Sequence, residues 1–246
     1  MMKKPVEIAI MQEGGAKLRK IKEELMSRID IGVSADDLEK LADALIKKSG
    51  GEASFKMVPG YYWATCVNVN EGIVHGIPKK EVVFKKGDVV SVDLGLFYKG
   101  FHTDTSITRA IAPDGKINDF LNVGKSALEK AVEKTSAGNR IYDISNAIEK
   151  TITTGGYTPL RALIGHGVGR ELHEEPKIPC YVSEAREMSP EIKVGMTLAI
   201  EVMYTMGSPN IALADDGWTI FMRDGKISAL YEETVAVTGN GPEVLT

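Results

Sequence analysis

Cysteine occurs only twice in the 246 residues, at Cys66 and Cys180, so no disulfide framework holds this chain together. The sequence leaves one bond between them open, and two free thiols in a reducing compartment is the simpler reading. No run of about 18 uninterrupted apolar residues is present, which excludes a membrane-spanning helix. The opening residues lack the apolar core of a secretory signal, because Glu7, Gln12 and Glu13 interrupt it. Basic charge is not in excess. Lys and Arg total 30 against 34 Asp and Glu, a net charge of -4, which argues against a body built to track nucleic-acid phosphates. Low-complexity tracts and a linker are missing as well. With 43% apolar and 26% charged residues the composition is globular. Residues 1–246 read as one domain, in the cytoplasm.

What is present begins with helical spacing over 6–29, where Ile8, Met11, Leu18, Ile21 and Leu25 form one stripe. Ser34 can cap a second helix, with Asp36 and Asp37 in its first turn and Gly50-Gly51 at its end. A β pattern runs through residues 66–69, 82–84 and 89–97, and helices follow over 117–135 and 140–153. Residues 196–203 read as a strand. Residues 218–222 and 227–237 read as a hairpin turned at Asp224-Gly225. Setting Asp37 on Asp143 aligns Gly32 with Gly138, Leu38 with Ile144, Ile46 with Ile152 and Gly50 with Gly156. This points to a duplicated α+β half with a site between the copies, although unrelated helices also share caps and stops.

Chemistry concentrates in four places. Asp93 interrupts the apolar run of 89–97, and Asp104 follows a turn at Lys99-Gly100. A two- or four-residue loop puts Gly95 opposite Asp104 and both aspartates on one face of the ribbon, where they repel unless a cation or proton lies between them. Gly165, Gly167 and Gly169 alternate beside His166 and His173, two of only four histidines, and let the backbone approach something closely. Pro176 and Pro179 prevent the helix a dinucleotide loop requires. Two solvated imidazoles fit this segment as well as a metal ligand and a catalytic hydrogen-bonding group. Glu201 and Glu232 interrupt two further apolar runs, where an unpaired carboxylate is expensive. His75, beside a turn, carries no signal alone.

In chain order His75, Asp93, Asp104, His166, His173, Glu201 and Glu232 resemble the methionine aminopeptidases of the pita-bread metallopeptidase fold. The resemblance spans nearly the whole chain and rests on Asn70-Glu-Gly-Ile-Val-His75-Gly-Ile-Pro, the Asp93/Asp104 pair, the segment from Gly165 to Pro176, Ile200-Glu201 and Asp216-Gly-Trp218-Thr. It implies an α+β fold of duplicated halves, with an antiparallel sheet around a central dinuclear metal site. Asp93, Asp104, His166, Glu201 and Glu232 would hold two divalent cations (cobalt, manganese, iron or zinc), with Asp104 and Glu232 bridging. Glu201, His173 and His75 would be catalytic, the two histidines also contacting substrate. Tyr61, Cys66 and Trp218 would line the methionine pocket. His102 shares a face with Asp104.

The implied activity is release of N-terminal methionine from nascent chains near the ribosome, with a small second residue preferred, by a monomer with no nucleic-acid specificity. Only 30 residues separate Glu201 from Glu232, which leaves no room for the insertion of type II enzymes and implies type I. Val202 and Glu233 depart from the family's usual proline and histidine. Asp93-Leu-Gly and Glu232-Glu-Thr lean toward Xaa-Pro peptidases, which use the same five ligands. The extra charge of Glu233 is expected to raise neighbouring pKa values or tighten cation binding. A non-catalytic peptide- or RNA-binding module is the remaining alternative, disfavoured because all five ligand positions are intact.

Overall fold

A computed structural model describes residues 2–246. The first half comprises α1 (Pro5–Arg28), α2 (Ala35–Ser49), β1 (Glu52–Ala53), a 3-10 turn at Ser54–Met57, β2 (Thr65–Val69), β3 (Gly72–Val74), and the hairpin β4 (Val89–Tyr98) and β5 (Phe101–Ala110). The second half repeats the order of two helices before long strands. It contains α3 (Gly115–Lys134), α4 (Ile141–Thr154), β6 (Thr158–Pro159), β7 (Ile164–Gly167), β8 (Glu174–Pro179) and β9 (Thr197–Thr205). It closes with β10 (Ile211–Leu213), β11 (Ile220–Met222), β12 (Ser228–Thr238) and β13 (Gly241–Val244). One antiparallel sheet runs in the order β1-β4-β5-β12-β9-β7-β8, so the two halves meet where β5 pairs with β12.

The repeat is visible in hydrogen bonds. Gly32 N–H donates to Phe84 O at 2.9 Å, and Gly138 N–H to Ile192 O at 3.0 Å. Both glycines have positive φ, 84° and 89°, which glycine adopts without penalty. The carboxylate of Asp37 accepts from Ser34 N–H at 2.9 Å, and that of Asp143 from Arg140 N–H at 2.8 Å, each satisfying a donor at a helix start. Residues 82–84, expected as a strand, instead brace the start of α2: Phe84 N–H donates to Val33 O at 2.8 Å, and Val83 bridges to Ser34.

Alternation then sorts each long strand. Val90, Val92, Leu94 and Leu96 of β4 pack with Ile21 and Leu25 of α1 and Leu38 and Ile46 of α2. Leu198, Ile200, Val202 and Tyr204 of β9 pack with Phe120 of α3 and with Ile144, Ile148 and Ile152 of α4. Asp93 and Glu201, at odd positions, face the other side of the sheet.

The hairpin expected between residues 218–222 and 227–237 does not form. Strand β11 joins β10 and β3 in a separate small sheet, while β12 pairs with β9 over nine positions. The Asp224-Gly225 turn exists, but it redirects the chain between sheets, because the long apolar partner that β12 requires is β9.

Tyr204 is fully buried and its hydroxyl donates to Phe120 O at 2.6 Å. A Cβ at Gly124 would lie 2.6 Å from its ring carbons. Gly124→Ala should therefore destabilise the protein by about 1–3 kcal/mol through overpacking, measured as a lowered midpoint in urea unfolding at unchanged slope.

Candidate active site

The β4–β5 hairpin turns through Lys99 and Gly100, whose φ angles of 47° and 90° suit a two-residue loop. Gly95 is therefore opposite Asp104 and Asp93 opposite Ser106, the register expected of a two-residue loop rather than of a three-residue one. Ser106 also pairs with Glu232, and Glu232 with Glu201. Asp93, Ser106, Glu232 and Glu201 thus form one row across four strands, with Asp104 two residues from Ser106 on the same face. His166 joins from β7, where it pairs with Ala199.

Ligand atoms of Asp104, His166 and Glu232 lie within 4.8 Å of one another, and His166 Nε2 is 3.4 Å from Glu201 Oε1. His166 Nδ1 donates to the Gly167 carbonyl at 2.9 Å, which leaves Nε2 with its lone pair toward the acids. Asp93 Oδ1 and Glu232 Oε1 are buried without a hydrogen-bond partner. Orphaned anionic oxygens in a shared pocket fit divalent cations, and the mix of carboxylates with one imidazole is the chemistry such ions take.

The pKa shifts have the same origin. Burial raises Asp93 to about 7 and lowers His166 to about 4. Burial also lifts Asp104, Glu201 and Glu232 well above their usual range, and neighbouring carboxylates add to each shift.

A cavity of about 180 Å³ is lined on one side by the acids and His166. Tyr61, Cys66 and Trp218 line it as expected, joined by Phe55, Val58 and Leu172, which the sequence reading missed. Leu172 adjoins His173 and was accessible to motif reasoning; Phe55 had no local signal. It reaches the cavity because Gly95 lets the 3-10 turn pack closely: a Cβ at Gly95 would lie 2.7 Å from Ser54 Cβ. The Tyr61 hydroxyl donates to Thr65 O at 2.8 Å and lies 3.2 Å from Cys66 Sγ, and Trp218 meets the Tyr61 ring edge-on at 5.0 Å.

His75 and His173 stand on the same cavity, exposed, and burial of part of each ring lowers both pKa values. His75 has a φ of 57°, an uncommon backbone conformation for a non-glycine residue. His173 meets the His166 ring at 4.5 Å. His102 does not join the acids: its Nδ1 pairs with Ser54 Oγ at 2.9 Å and its ring packs on Phe97.

Residues 9–239 match the model of metallopeptidase family M24. Methionine aminopeptidase 1 of Bacillus subtilis is 39% identical, over 99% of this chain and 98% of its own length. The crystal structure of methionine aminopeptidase from Thermotoga maritima superposes with a TM-score of 0.96 at 40% identity, covering 100% of this chain and 98% of that one. The chain belongs to the M24 metallopeptidases, among the methionine aminopeptidases.

M24 membership makes divalent metal the cofactor class. The prolidase from Pyrococcus furiosus shares the fold alone, with a TM-score of 0.77 at 23% identity and this chain covering 65% of it. The close approach expected of the alternating glycines is made to neighbouring backbone at two of them: a Cβ at Gly165 would lie 2.6 Å from Ala199 O, and one at Gly167 would strike the Glu175 backbone. Glu233 points to the helix side, where Lys22 pairs with it at 2.7 Å and the Thr246 hydroxyl donates to it at 2.7 Å. As expected of its charge, it still adds to the rise in the Glu232 pKa, behind burial and the carboxylates of Asp104, Glu201 and Asp93.

Because the folded pKa of Asp93 is raised, from 3.8 to about 7, the metal-free folded state holds protons more tightly than the unfolded chain. Its contribution is present below the unfolded value and lost as pH climbs toward the folded one. Melting temperatures of metal-stripped protein should fall between about pH 5 and pH 7, saturating manganese should remove the fall, and Asp93→Asn should reduce it. A metal-free melting temperature that rises across this window would contradict the assignment.

Proposed function

We propose that this chain hydrolyses the first peptide bond of methionyl peptides and nascent chains, preferring a small second residue. The observation that carries the reading is the acid row with its orphaned oxygens beside a cavity walled by aromatic rings and a thiol. The apolar part of that lining, Phe55, Val58, Tyr61, Cys66, Leu172 and Trp218, suits a flexible thioether side chain. We read residues 1–246 as one catalytic unit, since both halves contribute to the row.

Asp93, Asp104, His166, Glu201 and Glu232 would hold two divalent cations. Four carboxylates and a neutral imidazole balance two such charges. Cobalt, manganese, iron and zinc all suit this donor set, and cellular supply selects among them. Bound there, the cations supply Lewis-acid polarisation and lower the pKa of water at the scissile carbonyl. Glu201, within the row, takes the proton of the attacking water.

His173 and His75, kept neutral by their lowered pKa values, act as hydrogen-bond donors, His173 to the developing oxyanion and His75 to the scissile amide nitrogen. Tyr61, Cys66 and Trp218 receive the methionine side chain. Asp216 steadies Trp218, accepting its N–H at 3.1 Å and that of Thr219 at 2.9 Å. The reading extends to a cytoplasmic monomer acting near the ribosome. The two free, buried thiols accord with a reducing compartment.

Metal-stripped protein resupplied with manganese or cobalt should turn over Met-Ala-Ser and leave Ala-Pro-Ala intact. Asp104→Asn should lower kcat by about 10³-fold or more, as loss of a carboxylate that would hold the cations implies. Cleavage of the prolyl peptide would move the chain to the Xaa-Pro peptidases, and activity on neither would leave a binding module.

A further inference from the structure

Lys3 belongs to none of the motifs used above, yet its side chain is completely buried, at 0% exposure. Its ammonium donates to the Val168 carbonyl at 2.7 Å and to Glu174 Oε2 at 2.6 Å, and its backbone N–H donates to Gly195 O at 2.7 Å. Val168 and Glu174 bracket residues 169–173, so one cation grips both ends of the loop that carries His173. The other carboxylate oxygen of Glu174 accepts the N–H groups of Arg170 at 2.8 Å and Glu171 at 3.3 Å. The missing side chain of Gly169 leaves the space that the lysine stem fills. His173 is exposed, and among the described residues its imidazole makes no side-chain hydrogen bond. Its placement therefore follows from its backbone. A buried ion pair is weak evidence for stability as such, because desolvation offsets much of the attraction. Holding a loop in one geometry is the better account of this one.

We propose that Lys3 is a positioning residue for the peptidase reaction, fixing residues 168–174 through Glu174 and Val168 so that His173 meets the scissile carbonyl. The proposal rests on the reading of His173 as the oxyanion donor.

The test is steady-state turnover of Met-Ala-Ser by manganese-loaded, full-length protein carrying Lys3→Met, Glu174→Gln or His173→Ala, and by the double variants. Bound manganese and melting temperature are measured alongside. Lys3→Met and Glu174→Gln should each lower kcat about 10- to 100-fold, the scale of a misplaced catalytic group, with KM within about twofold and manganese content unchanged. In the His173→Ala background Lys3→Met should change kcat less than about twofold, since the group it positions is gone. Equal losses in both backgrounds, or unchanged kcat in Lys3→Met, overturn the role of Lys3 alone. Unchanged kcat in His173→Ala overturns the reading of His173 and this proposal together. If Lys3→Met does not fold, Glu174→Gln, which keeps the side-chain shape, carries the same comparison.

Discussion

Four carboxylates held in one poorly solvated pocket repel each other, and much of this architecture serves to keep them there. Asp93, Asp104, Glu201 and Glu232 sit on a sheet whose opposite face is packed against two helix pairs. The strands therefore cannot splay to relieve the repulsion. Protons or cations must relieve it instead, which is why the same residues show raised pKa values and orphaned oxygens. Rigidity built from apolar packing is what keeps an unfavourable charge cluster together as a candidate metal site.

Duplication explains how one sheet gathers the donors. Each half offers a long antiparallel pair, β4 with β5 and β9 with β12, and the row crosses from one half to the other where Ser106 meets Glu232. Asp93 and Asp104 come from the first half; His166, Glu201 and Glu232 come from the second. Alternation keeps the departures from the family pattern out of the row. Val202 and Glu233 point to the helix side, where Val202 packs in the core and Glu233 finds Lys22. The row collects the buried carboxylates, while the imidazoles of His75 and His173 stand exposed on the cavity, so the two kinds of group occupy different parts of one site.

Much of this was legible in the residues. The hairpin parity at Lys99-Gly100 determined that Asp93 and Asp104 share a face, because a strand alternates with period two and the turn fixes the register. The first two helices followed from a stripe and a cap, and the repeat from paired glycines and aspartates, because these signals act within a few residues. Strand pairing at long range was not legible in the same way. Residues 218–222 carried a sound β pattern but no information on which edge would accept them, and β12 had a better partner in β9.

The sequence by itself determined the donor types, their order and the face each strand would turn inward, since local periodicity and residue chemistry suffice for those. Only the tertiary structure decided that Ser106 lies between Asp93 and Glu232, that Phe55 reaches the pocket over Gly95, that Gly165 and Gly167 serve strand packing while Gly169 makes room for Lys3, and that Lys3 grips the loop of His173. Each of these joins residues far apart in the chain, where the contact is set by how whole layers pack rather than by any preference of the residues that make it.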